Sequence, residues 1–175
     1  VDLRTVDHEL EPFELLEKGR TDVIFAAKQA GFSCDWTPLC QDAMYAILPP
    51  DYPLDGQETF PIEAFEGKEF LMPYGKFDLD VKAALSANNV KPKIRPCHVD
   101  DETVIRMVGK GLGLSMMAEM MIRGRTNGVT AVPIEPATGR ELGMGLHMRE
   151  SMPDGILRLR ECVLAFIGTL PGTES

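Results

Sequence analysis

Sulfur in metal-binding patterns is missing from this chain. Its four cysteines, Cys34, Cys40, Cys97 and Cys162, are unevenly scattered and form no C-x-x-C pair. That spacing speaks against a zinc site. Scattered thiols beside ten methionines point instead to a reducing compartment, and cytoplasmic localisation is expected. No apolar run approaches the roughly 20 residues needed to cross a bilayer. Val1–Leu10 is polar and acidic, unlike a secretory leader. Basic charge is short too: 18 Lys and Arg against 27 Asp and Glu give a net charge of -9. A surface of that sign is ill suited to nucleic-acid phosphates. Any control of DNA would pass through a domain outside this sequence.

Catalytic patterns are equally scarce. There is no G-x-S-x-G elbow, no H-E-x-x-H and no phosphate loop. The three histidines, His8, His98 and His147, stand far apart. Cys97 and His98 are sequence neighbours, so on a strand they point to opposite faces and form no dyad. No catalytic residue, no metal and no cofactor is expected, and the chain does not read as an enzyme.

What is present is an ordinary globular composition, 44% hydrophobic and 26% charged over 175 residues, enough for one large domain or two small lobes. Val1–Val6 alternates like a half-buried strand. Pro12 and Gly19 bracket a short helix with Phe13, Leu15 and Leu16 on its apolar face. Val23–Ala27 is a continuous apolar run, the mark of a strand buried on both faces. Two strands flank a turn at Gln41-Asp42, and the second ends at Pro49-Pro50. Asp51–Lys68 reads as a connecting loop with a short turn of helix.

A regular alternation follows. Glu69–Met72 is strand-like and Pro73–Lys76 a loop. Asp78 can cap a helix with Val81, Ala84 and Leu85 on one face, ending near Asn88-Asn89. Lys93–Val99 is a strand. Asp100 and Asp101 can cap a helix whose Val104, Ile105 and Val108 face a core, ending at Gly109-Lys-Gly111. Leu112–Met117 reads as a strand, Ala118–Arg123 as a helix, and Val129–Ile134 and Glu141–Met148 as strands. Met152–Leu170 is a last helix with Ile156, Leu159, Val163, Phe166 and Leu170 in register. Repeated β-α-β argues for an α/β fold with a mostly parallel sheet.

The order of these features resembles the effector-binding domain of LysR-type transcriptional regulators. Gly19-Arg-Thr-Asp22-Val-Ile-Phe-Ala is similar to that family's G-x-x-D-hydrophobic strand entry. Pro38-Leu39, Asp42–Pro49 and Tyr52-Pro53-Leu54 follow its P-L, strand, H-P-L run, and Phe65–Leu71 occupies the next segment. Asp100-Asp101, Val104, Val108 and Gly109-Lys-Gly-Leu-Gly-Leu-Ser115 resemble its V-x-x-G-x-G element. The likeness runs from Leu3 to about Leu170. It departs from the family in two places. A first strand-helix unit ahead of Val1–Val6 is absent, and Met117-Ala118 replaces a proline.

The resemblance implies a type-2 periplasmic-binding-protein-like α/β fold, two lobes joined by two crossing strands. Lobe I would comprise 1–42 and 143–175, and lobe II 43–142. It implies effector sensing and oligomerisation in a cytoplasmic regulator, with a small molecule bound between the lobes. A homodimer or higher homo-oligomer is expected, pairing through Leu3, Thr5 and the Glu102–Lys110 helix. DNA would be bound through a separate helix-turn-helix domain, with no membrane partner. Strand ends and helix N-termini are where ligands collect in such sheets. The expected effector-binding residues are therefore Ala27, Lys28, Pro73, Tyr74, Gly75, His98, Val99, Asp100, Ser115 and Met116, and a carboxylated or aromatic effector is implied. Each has a plainer reading beside it: Lys28 as a solvated surface residue, Tyr74 as a turn aromatic, Asp100 as a helix cap, Ser115-Met116 as buried strand. An extracytoplasmic solute-binding protein shares the fold but would need a secretion signal. A prephenate-type dehydratase would need an acid–base cleft that these residues do not assemble.

Overall fold

Two long strands thread the molecule and decide its division. In the computed structural model, which describes residues 2–6, 10–73, 79–148 and 152–169, β2 runs without a break over Asp35–Leu48 and β8 over Gly139–Leu146. The chain separates into one unit of Val1–Gln41 with Glu141–Ser175 and a second of Asp42–Arg140. Both boundaries fall inside these two strands. Hydrogen-bonded neighbours follow the order β1-β8-β2-β7-β3, with β6 also on β2.

In the first unit, α1 (Glu11–Glu17) carries its proline in the first turn, where the missing N–H costs nothing. It buries Phe13 and Leu16 against Ile24 of β1 (Val23–Ala27). Phe32 and Trp36 close over Phe13 with ring centroids 5.0 and 6.1 Å away. β1 pairs antiparallel with β8, Ala26 opposite Gly143. Gly143 has a steric reason: a Cβ there would lie 2.3 Å from the Trp36 ring. The expectation that β1 is buried on both faces fails, since Ile24 is buried but Phe25 is 53% exposed. An apolar run states what a strand can bury, not what arrives to cover it.

The same reasoning corrects both ends of the chain. Residues 2–6 form no strand, and Leu3 is exposed; alternation without a pairing partner leaves the backbone to water. The last helix, α5 (Asp154–Ile167), buries none of its residues, although its apolar positions recur at helical spacing. Leu159 and Phe166 are exposed, and Leu170 lies outside the described residues.

In the second unit the strands β4 (Glu69–Met72) and β5 (Lys93–Pro96) pair in parallel, and Phe70 bridges in parallel to Leu114 just before β6 (Ser115–Ala118). β6 and β7 (Thr130–Glu135) pair antiparallel with β2, and the two-residue β3 (Phe60–Pro61) parallel with β7. The sheets are therefore mixed rather than mostly parallel, because the boundary-crossing strands run against their neighbours. Helices α2 (Leu79–Ala87), α3 (Asp101–Gly109) and the one-turn α4 (Glu119–Ile122) follow β4, β5 and β6. One core gathers Phe60, Phe65 and Phe70 with Val81, Leu85 and Met116; another packs Val104, Ile105 and Val108 against Leu71 and Met117. Gly113 (φ 157) lets the chain pass Glu69, whose carbonyl oxygen would sit 2.9 Å from a Cβ.

The expected turn at Gln41-Asp42 is absent. Burial alternates straight through Asp42, Met44 and Ala46, and the reason is the Asp42 side chain, drawn inward by partners distant in sequence.

Candidate functional site

Because β4, β5 and the start of β6 are parallel, their carboxyl ends share one side of the second unit, and each is followed by a helix N-terminus. Cys97 donates its backbone N–H to the Met72 carbonyl at 2.8 Å, which holds the two strand ends together. Helix N-termini offer unpaired N–H groups and positive dipole. Here acidic side chains take up that offer. Asp100, the N-cap of α3, accepts the Thr103 N–H at 2.8 Å. That bond, reinforced by the more distant Arg106 and Arg125, holds its carboxyl below the usual range.

At the same end Asp42 is nearly completely buried. Its Oδ1 accepts the Met120 N–H in the first turn of α4 at 3.0 Å, and its Oδ2 accepts Arg140 Nε at 3.0 Å. Arg140 Nη1 reaches Asp80 in the first turn of α2 at 3.3 Å. Burial opposes the charge on Arg140, but Asp42 and then Asp80 outweigh it, so its pKa is held above the ordinary arginine value. One guanidinium thus ties a strand, another strand's end and a helix together. Asp101 differs from Asp42. It is only 7% exposed, and burial, then the neighbouring Asp100, pushes its carboxyl up, with Arg125, Arg140 and the bond from its own backbone N–H pulling back.

The residues expected from the sequence distribute as follows. Ala27 and Lys28 lie in the first unit. Ala27 closes β1 opposite Leu142, and Lys28 is half-exposed with Nζ 3.0 Å from Glu141 Oε1. Glu141 also accepts Trp36 Nε1 at 2.8 Å, and the two bonds lower its pKa, Lys28 first. The others lie in the second unit. Pro73 is buried at the end of β4, His98 is exposed and Val99 half-buried beside it. Tyr74 and Gly75 lie outside the described residues, as does Asp78. Ser115 and Met116 are wholly buried; Ser115 donates to the Leu71 carbonyl at 2.8 Å, and Met116 packs in the core. Their plainer reading as interior strand describes that placement.

Sequence reasoning missed Arg140, Asp80, Glu141 and Trp36, and read Asp101 only as a helix cap. An arginine and an aspartate 98 residues apart give no local pattern. Two more polar groups escaped notice in the first unit, Gln29 Nε2 and Thr37 Oγ1, each buried without a hydrogen-bond partner among the described residues. Among those residues no group of His, Cys, Asp and Glu could hold a metal ion, and no helix is long and apolar enough to cross a membrane.

Comparison with known proteins gives one family model, described as the LysR substrate binding domain, matching residues 1–167. A curated relative, the HTH-type transcriptional regulator TtuA of Agrobacterium vitis, is 24% identical over 131 residues, 71% of this chain. The chain spans 43% of that relative's length. The regulatory domain of Synechocystis PCC6803 CcmR, solved in complex with 2-PG, superposes with a TM-score of 0.80 at 16% identity. That match covers 94% of this chain and 82% of the other. The effector binding domain of QuiR in complex with shikimate matches with a TM-score of 0.76 at 12% identity, covering 93% and 79%.

Proposed function

Because this chain belongs to the LysR substrate-binding domain family of transcriptional regulators, with that family's two-lobed, periplasmic-binding-protein-like α/β fold, we propose that it senses a small-molecule effector and performs no catalysis of its own. The observation that carries this reading is the shared side of β4, β5 and β6, where successive strand ends open onto helix N-termini and polar side chains gather. The proposed effector contacts are Pro73, Tyr74, Gly75, His98, Val99 and Asp100 in the second unit and Ala27 and Lys28 in the first. Ser115 and Met116 support the strand pair from inside.

The regulator works in the cytoplasm as a homo-oligomer, and a domain outside this sequence contacts DNA. That division of labour fits the surplus of acid over base and the 43% share of TtuA that the chain spans. An effector acts by binding one conformation better than another, since only differential affinity moves an equilibrium.

A thermal-shift screen on the intact regulator finds the effector, and calorimetry then compares wild type with Tyr74→Ala. Loss of the ring and its hydroxyl is expected to weaken binding by about 1–3 kcal/mol. Equal affinities would move the pocket away from residues 73–75.

A further inference from the structure

Polar groups buried without a partner are few in folded proteins, and each calls for an explanation. Among the described residues two are found, Gln29 Nε2 and Thr37 Oγ1, both in the first unit. Their settings differ. Thr37 is 8% exposed and lies inside β2, held by the strand on either side. Gln29 stands two residues past Ala27, the end of β1, on a segment outside helix and strand, and the residue as a whole is half-buried. Its backbone is placed by its neighbour, since Lys28 donates its N–H to the Glu141 carbonyl at 2.8 Å.

The other polar side chains at this strand end are already engaged. Lys28 Nζ lies 3.0 Å from Glu141 Oε1, and Trp36 Nε1 donates to the same oxygen at 2.8 Å. These two bonds hold the Glu141 carboxyl below its usual range, Lys28 first. Ala27 has no polar side-chain group to offer. Of these residues only Gln29 ends in a side-chain donor that no described residue accepts. A partnered donor must break a bond before it can serve a ligand. The Gln29 amide nitrogen breaks none, and rotating toward a ligand removes the cost of leaving it unpaired inside.

We propose that Gln29 is a specificity-determining effector contact in the first unit, its amide nitrogen donating to a carbonyl or carboxylate oxygen of the effector. This rests on the reading of the chain as an effector sensor. Gln29 takes the polar role that the sequence assigns to Lys28, whose charge is committed to Glu141. An ammonium group has donors only and leaves the amide nitrogen unpaired. A site that hydrogen-bonds one group of its ligand rejects analogues that lack it.

The chain has three glutamines, Gln29, Gln41 and Gln57, so the side-chain amide signals of Gln29 in the 15N-labelled chain are identified by their loss in Gln29→Met. Benzoate, benzamide and benzylamine, probes of one shape, are titrated in turn. Benzoate and benzamide are expected to shift the Gln29 side-chain signals, and benzylamine to leave them in place. Benzoate affinity should fall about tenfold in Gln29→Met, as for one lost hydrogen bond to a charged acceptor. Gln57→Met, at an exposed position of the second unit, should leave that affinity within about twofold. A thermal melt checks that Gln29→Met keeps its fold; the wild-type shifts decide the matter if it does not. Benzoate binding equally to folded Gln29→Met, benzylamine shifting the Gln29 signals as benzoate does, or no probe shifting them would each overturn the assignment. The effector-sensor reading falls or stands separately, on the calorimetry of Tyr74→Ala with the screened effector.

Discussion

Replacing Asp42 with alanine tests whether the Asp42–Arg140–Asp80 network is structural support or incidental. Three consequences follow from the distances. The Met120 N–H, bonded at 3.0 Å, loses its acceptor at a place where water enters poorly, worth about 1 kcal/mol. The charge-assisted bond from Arg140 Nε, also 3.0 Å, is lost, worth about 2 kcal/mol for a pair whose arginine side chain is 20% exposed and whose aspartate is 1% exposed. Arg140 keeps Asp80 at 3.3 Å and avoids the full penalty of a stranded charge. The sum is about 3 kcal/mol, which for a chain of 175 residues lowers the melting temperature by roughly 6–12 °C. Differential scanning calorimetry at pH 7 measures it directly. Asp42→Asn, which keeps an oxygen for Met120, should lose less than Asp42→Ala. A change below about 0.5 kcal/mol in Asp42→Ala, the size of an ordinary surface substitution, would refute the network and restore the turn that the sequence suggests at this position.

Three further outcomes are expected. Asp101→Asn should raise stability at pH 7, because burial and then Asp100 oppose the charge on this carboxyl. The folded-state pKa of Asp101 is raised, so the wild type pays for its charge at neutral pH and recovers as pH falls through that raised value; urea melts from pH 7 to 4 should show the advantage of Asn shrinking, and a constant gap would contradict the burial argument. Gly143→Ala places a Cβ 2.3 Å from Trp36, the single tryptophan, so Trp fluorescence should shift and stability fall by about 1–3 kcal/mol; an unchanged spectrum and melting temperature would contradict the close approach. Light scattering at high micromolar concentration should show a dimer, returned to monomer by Leu3→Glu, because Leu3 is 87% exposed and expected at the pairing surface; a strictly monomeric wild type would remove Leu3 from that role.

The sequence made the second unit's alternation readable and left its site half hidden, for different reasons. The Asp100-Asp101 cap, the Val104, Ile105 and Val108 face and the Gly109–Gly111 stop all lie within one helix and its ends, and the structure repeats them closely. Local chemistry suffices there, because capping and periodicity act within a few residues. Boundaries of β6 and β8 moved by two or three residues, since Leu112 and Met148 are apolar yet exposed. The failures share one cause. Val1–Val6, the outer face of β1 and the apolar positions of α5 were each read as buried from their own pattern, but burial needs a partner that pattern does not contain. Asp42 erred in the opposite direction. A polar residue after glutamine looked like a turn, and only Arg140, 98 residues on, explains why it lies inside.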